Sequence, residues 1–153
     1  MSTSPTYSFK KILVPIDFST HSIMLVKKAS QFAEKLGAEL EILHVVESLT
    51  PYKGFVVPHI PLDSLGDDLN AYARKKMEKF LEENLETTAP YRATIVSGKD
   101  PANEIIRYAG EVGSDLIIIA TQGFKGMPKF IFGSVTERVL KQSPCPVLSI
   151  KPR

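Results

Sequence analysis

Leu116-Ile117-Ile118-Ile119-Ala120 is the most apolar stretch of the chain, and it is followed by Thr121-Gln122-Gly123 and then, across a spacer, by Gly133-Ser134-Val135-Thr136-Glu137. Five apolar residues without alternation suit a strand covered on both faces, the habit of parallel sheets. Residues 121–133 form a loop rich in small residues. Ser134-Val135-Thr136-Glu137 has the S-x-x-E form of a capping box, which predicts a helix that starts with Ser134 as its cap. A buried strand, a loop and a helix make one βα step, and the strand, being the most apolar, is expected at the centre of its sheet.

The same step recurs in both directions. Downstream, Pro144 and Pro146 bracket the helix exit, and Val147-Leu148-Ser149-Ile150 reads as a last strand. Upstream, Asp100-Pro101 opens a helix with Asp as cap and Pro at the first position; its face is Ile105, Ile106 and Ala109, and Gly113 stops it. Arg92-Ala93-Thr94-Ile95-Val96 precedes it as a strand. Near the start, Ile12-Leu13-Val14-Pro15-Ile16 is a short apolar strand ending at Asp17. Ser19 or Thr20 caps the helix that follows, whose stripe is Leu25, Ala29, Phe32, Ala33 and Leu36, closed by Gly37. Residues 39–46 form the second strand. Residues 47–62, with Pro51, Pro58 and Pro61, read as a long loop at the rim of a pocket or on a contact surface. A helix then runs over residues 63–86, its face carrying Leu65, Leu69, Tyr72, Ala73, Met77, Phe80, Leu81 and Leu85. Strict alternation of five strands and four helices predicts an α/β fold: a five-stranded parallel sheet with right-handed crossovers and helices on both faces.

Composition agrees and excludes several classes. The 153 residues suit about one domain. Residues 1–8 read as a flexible polar tail and 9–153 as a single domain. With 43% hydrophobic and 24% charged residues, the chain is neither disordered nor collagen-like. No apolar run approaches the roughly 18 residues of a membrane span, and no secretory leader is visible, so a cytoplasmic location is expected, without membrane contact. A net charge of +2 is too balanced for a nucleic-acid footprint. One cysteine, Cys145, excludes an internal disulfide and a cysteine-based zinc cluster.

Ligands of open α/β sheets bind beyond the carboxyl ends of the strands, where strand order reverses. In the order 3-2-1-4-5 that crevice lies between strands 1 and 4, at the loops beginning with Asp17 and Thr121. Gly123 and Gly133 let backbone N–H groups approach phosphate oxygens. A helix N-terminus adds unpaired N–H groups and a partial positive charge. Ser134 adds a hydroxyl, and Lys125 or Lys129 a cation. These make a phosphate cradle; the plainer reading is that the glycines serve turns and Ser134 only caps its helix. Asp17 has two readings too, a partner for ribose hydroxyls or a carboxylate favoured by the next helix N-terminus.

Other constellations are set aside. A phosphoacceptor domain needs an Asp at the end of strand 3, where Val96-Ser97-Gly98 stands. His21, His44 and His59 have no metal-ligand spacing, and His44 reads as a strand-end core or hydrogen-bonding residue. Arg74, Lys75, Lys76 and Lys79 read as a solvated face, with Glu78, Glu82 and Glu83 in pairing reach. No P-loop, no G-x-S-x-G elbow and no nucleophile beside a base is present, so no catalytic residue is assigned.

The chain resembles the universal stress protein family. Nucleotide-binding members carry G-x2-G-x9-G-[S/T] between strand 4 and the last helix; here the stretch is Ala120-x2-Gly123-x9-Gly133-Ser134, with alanine for the first glycine. Ile12-Leu13-Val14-Pro15-Ile16-Asp17, Leu43-His44-Val45, Gly98 with Pro101-Ala102, Gly-Ser-Val-Thr-Glu-Arg-Val from 133 and Cys-Pro-Val-Leu from 145 match as well. The resemblance covers residues 9–151 and implies a Rossmann-like fold, also described as adenine nucleotide alpha hydrolase-like. It implies that Pro15, Ile16 and Asp17 lie near base and ribose, that Val45 offers backbone contacts to adenine, that Ile119, Ala120 and Gly123 line the ribose and phosphate path, and that Gly133, Ser134, Val135 and Thr136 hold phosphates. The implied ligand is ATP, AMP or ADP, with Mg2+ or Mn2+ carried by the phosphates and no protein metal site. The implied role is a stress-response regulatory module that dimerises through strand 147–150. The alternatives are an interaction module without nucleotide, suggested by Ala120, and a weak ATP hydrolase.

Overall fold

Strands and helices alternate in the computed structural model, which describes residues 7–48, 62–122 and 132–151. In chain order these are β1 (Lys11–Pro15), α1 (Thr20–Leu36), β2 (Glu39–Glu47), α2 (Leu62–Asn84), β3 (Tyr91–Gly98), α3 (Pro101–Val112), β4 (Leu116–Ala120), α4 (Ser134–Gln142) and β5 (Val147–Ile150). All neighbouring strands are parallel, in the order β3-β2-β1-β4-β5. The expected fold class is therefore present. One expectation is corrected: β1, not the more apolar β4, is the central strand, and β4 lies between β1 and the edge strand β5. Apolarity reports cover by helices on both faces, which an inner strand beside the centre has as fully as the centre itself.

The side-chain period of two sorts the strands onto two cores. Ile12, Val14, Ile16, Leu40, Ile42 and Ile118 pack with Leu25, Val26, Ala29 and Ala33 of α1 and with Met77, Phe80 and Leu81 of α2. Leu13, Leu43, Ile117 and Ile119 pack with Ala102, Ile105, Tyr108 and Ala109 of α3 and with Val139 of α4. Helices thus cover both faces, two on each.

The local signals for helix ends were sound at α1 and α3. Ser19 caps α1, accepting from the N–H of Ser22, and Asp100 caps α3, accepting from the N–H groups of Ala102 and Asn103 with Pro101 in the first turn. Gly37 and Gly113 end these helices in the left-handed region, at φ 64° and 69°, where a β-carbon is disfavoured. The apolar stripes are narrower than their periodicity implied. Phe32 and Leu36 of α1 and Tyr72 of α2 are exposed: Phe32 sits at the margin of its stripe, Leu36 is the last residue of α1, and Tyr72 falls outside the arc of Ala73, Met77, Phe80 and Leu81.

Two substitutions separate the sheet core from the margin of a helix stripe. Ile118→Ala is expected to cost about 2–5 kcal/mol in urea unfolding, and Phe32→Ala about 1 kcal/mol or less. Equal losses would contradict the assignment.

Candidate functional site

The sheet divides at its carboxyl edge. β1 and β4 pair only at Ile12–Leu116 and Leu13–Ile117. Beyond that, each strand stays with its other neighbour. β1 follows β2 as far as Pro15–Leu43, and the N–H of Ile16 donates to the Leu43 carbonyl at 2.8 Å. β4 follows β5 as far as Ala120–Ile150, and the N–H of Thr121 donates to the Ile150 carbonyl at 3.0 Å. Successive strand residues turn their backbone groups to opposite neighbours. Ile16 faces β2, so the Pro15 nitrogen faces β4, where proline has no hydrogen to donate.

A cleft of about 600 Å³ opens at this division, within the range of small-molecule sites. Pro15, Ile16, Asp17, Val45, Ile119, Ala120, Gly133, Ser134, Val135 and Thr136 all line it. Gly123, Lys125 and Lys129 lie outside the described residues, as does 49–61 of the expected loop. Leu25, Leu43 and Ile105 add apolar wall.

On the β1 side the chain turns through an elbow. Phe18 has φ 62°, a left-handed conformation that costs a bulky L-residue roughly 1–2 kcal/mol. Its ring lies 4.3 Å from that of His44 and edge-on to Phe80 at 5.6 Å, and the Lys76 ammonium stands 5.1 Å from its centroid. Asp17 Oδ1 accepts the N–H of Ser19 at 3.0 Å and the hydroxyl of Ser22 at 2.9 Å. In return, Ser22 Oγ accepts the N–H of Asp17 at 3.0 Å. Asp17 thus belongs to the entry of α1 and also lines the cleft.

On the β4 side the expected capping box is absent. Gly133 is the cap residue of α4, with φ −57° and ψ 153° and no capping side chain, and Ser134 is the first helical residue. Two bonds set this register: the N–H of Gly133 donates to the Thr121 carbonyl and the N–H of Glu137 to the Gly133 carbonyl, each at 3.0 Å. Glu137, the other half of the expected box, pairs instead with Lys141 at 2.7 Å. The amides of Ser134, Val135 and Thr136 precede the first intrahelical donor, the N–H of Glu137, and have no carbonyl within α4. Thr136 is buried, and its hydroxyl donates to the Ala120 carbonyl at 2.8 Å, tying α4 to the end of β4.

Ala120 accommodates its methyl group. Phe18 is the one non-glycine residue with positive φ among the described residues, so Ala120 keeps an ordinary strand conformation, and it packs against the core on the α1 face.

Two charged cleft residues, Arg138 and Glu47, had no role in the sequence reading, and Asp100 had only that of a helix cap. Arg138, midway along α4, forms an ion pair with Asp100, the α3 cap, and joins the start of α3 to α4 along the cleft wall. That hydrogen bond holds the Asp100 carboxyl below its ordinary range. The two lie 38 residues apart, a separation that no local pattern marks. Glu47, at the end of β2, also lines the cleft.

His44, read as a strand-end hydrogen-bonding residue, is one: its Nδ1–H donates to the Ile16 carbonyl at 2.8 Å. Burial pushes its pKa down, against the upward pull of that bond and of Asp17, and Lys76 adds to the lowering. His21 bonds the Gln122 carbonyl at 3.0 Å, holding the exit of β4 to α1. Cys145 is half-buried, its thiol pushed up chiefly by burial. Among the described residues no group of three or more His, Cys, Asp or Glu is placed to hold a metal ion, and no helix is long and apolar enough to cross a membrane.

Fold and cleft define an α/β domain with a ligand-sized crevice at its topological switch point. The chain belongs to the universal stress protein family, whose model matches residues 8–151. It is 33% identical over 148 residues to universal stress protein YxiE of Bacillus subtilis, covering 94% of this chain and 99% of that protein. Among solved structures, it is similar to MJ0577 of Methanocaldococcus jannaschii, with a TM-score of 0.79 and 31% identity over 96% of this chain and 99% of that one. The fold is shared with a universal stress protein solved in complex with cAMP (TM-score 0.62, 21% identity, 94% and 98% covered). It is also shared with one from Archaeoglobus fulgidus in complex with dAMP (0.57, 20%, 95% and 100%).

The direction of the His44 shift has a consequence for stability. The unfolded imidazole takes up a proton more readily than the folded one, so folding is favoured above the ordinary pKa of 6.5 and loses stability as pH falls below it. The melting temperature of the wild type should therefore fall between pH 7.5 and pH 5.5 more steeply than that of His44→Phe. Parallel profiles would contradict it.

Proposed function

We propose that the cleft binds an adenine nucleotide, ATP or its AMP and ADP relatives, and that the protein is a nucleotide-responsive regulatory module of the stress response in the cytoplasm. The observation that carries this reading is the start of α4. Its first turn, entered through Gly133 with no capping side chain from that residue and with a partial positive charge of about half a unit, lines the same cleft as the Asp17 elbow.

The residues fit the ligand by chemistry. The amides of Ser134 and Val135 and the Ser134 hydroxyl suit phosphate oxygens. Asp17 suits ribose hydroxyls as acceptor. Pro15, Ile16, Val45 and Ile119 form an apolar wall for a base. Any Mg2+ or Mn2+ would arrive with the phosphates. Among the described residues, a β-carbon on Gly133 would meet only the Thr121 carbonyl, at 3.8 Å, and the position lines the cleft. The adenine mononucleotides named for two fold neighbours make adenine the first base to test; at their identity they speak to the fold alone, and the support for binding comes from this chain's own cleft.

Dimerisation belongs to the same proposal. β5 is an edge strand, and an unpaired edge is a template for a second copy.

Calorimetry tests the ligand. ATP and AMP are expected to bind and a pyrimidine nucleotide to bind more than tenfold more weakly. Gly133→Val is expected to abolish ATP binding with little change in melting temperature. Absence of binding at millimolar ATP would overturn the reading. Light scattering at micromolar concentration is expected to give twice the chain mass of 16.9 kDa; a monomer would contradict the edge pairing.

A further inference from the structure

The residues on either side of Asp17 are held from one place in β2. The Leu43 carbonyl accepts the N–H of Ile16 at 2.8 Å, and His44 Nδ1–H donates to the carbonyl of the same residue at 2.8 Å. Consecutive β2 residues thus bind both polar groups of Ile16. The His44 ring also lies 4.3 Å from that of Phe18, the residue after Asp17, whose φ of 62° persists only where its surroundings over-determine it. One imidazole therefore touches both neighbours of Asp17, by a hydrogen bond before it and a ring contact after it.

We infer that His44 is the positioning residue of the Asp17 elbow, holding that carboxylate in place across the cleft from the start of α4. Its bearing on ligand binding rests on the nucleotide reading above; its bearing on the elbow does not. Burial favours the neutral ring. A neutral imidazole has a single N–H, and the Ile16 carbonyl fixes it at Nδ1. A residue that merely filled space there would need the ring but not the donor.

Two variants separate the functions. His44→Phe keeps a ring against Phe18 and removes the donor. His44→Asn removes the ring and keeps an amide N–H near the Nδ1 position. In hydrogen exchange of the ligand-free protein, the reporters are the amide of Asp17, which donates to Ser22 Oγ, and that of Ser19, which donates to Asp17 Oδ1. His44→Phe is expected to speed exchange at both by at least tenfold and leave Leu13 and Ile42 unchanged. His44→Asn is expected to return both to within threefold of wild type. Unchanged elbow amides in His44→Phe, or equal acceleration throughout β1 and β2, would overturn the inference.

A second arm uses ATP affinity. Positioning through Asp17 predicts that the Asp17→Asn, His44→Phe double variant binds no more weakly than Asp17→Asn alone, whereas independent roles would multiply the two losses; multiplied losses would overturn the inference. Failure of the wild type to bind ATP would sink the nucleotide reading, while the exchange arm still decides the role of His44.

Discussion

The shortness of the β1–β4 ladder is the constraint on which the rest of the carboxyl edge depends. Two residue pairs join these strands, against five between β1 and β2 and four between β4 and β5. The sheet therefore behaves as two ribbons, β3-β2-β1 and β4-β5, fused at one end and parted at the other. Pro15 suits the parting because it stands where a donor toward β4 would otherwise continue the ladder. The parted end must still satisfy its backbone groups. It does so by turning each strand end toward its own ribbon, Ile16 to Leu43 and Thr121 to Ile150.

Each lip of the opening then carries one polar device, and each is held by the ribbon behind it. On the β1 lip, Asp17 is aimed by Ser19 and Ser22, and its neighbours are bound by Leu43 and His44 of β2. On the β4 lip, the start of α4 is registered by Thr121 and by the bond from Thr136 to the Ala120 carbonyl. The Ala120 bond uses a backbone carbonyl, so it is indifferent to whether alanine or glycine stands there. That is why the departure from the family's glycine pattern leaves this lip built in the ordinary way. The Asp100–Arg138 pair ties α3 to α4 along the wall. Such a partly exposed pair adds little stability by itself; its effect is to hold the start of α3 against α4.

Much of this was legible in the residue order. Unbroken apolar runs marked strands covered on both faces, and Ser19, Gly37, Asp100 and Gly113 marked helix ends by chemistry that acts within a few residues. The parallel sheet with helices on both faces followed from alternation and crossover rules; the location of the cleft followed from the order 3-2-1-4-5, which alternation alone does not fix. What escaped was set at long range. The S-x-x-E pattern at Ser134 misled because Glu137 has a second partner, Lys141, one turn on, and because Thr121 already engages Gly133. The left-handed Phe18 has no local signature, since its stability comes from rings in β2 and α2. Arg138 and Asp100 meet only because α3 and α4 share a face of the sheet.

The account makes one claim that a single titration addresses: the two lips of the divided sheet act together on one ligand. Adding ATP to isotope-labelled protein and following backbone amide resonances tests it directly. The account predicts saturable shifts at Asp17, Val45, Ser134 and Val135 with a common apparent Kd, and none at Lys10 or Gly113 at the opposite edge of the sheet. Shifts confined to one lip, shifts centred on the opposite edge, or no shifts at millimolar ATP would contradict it.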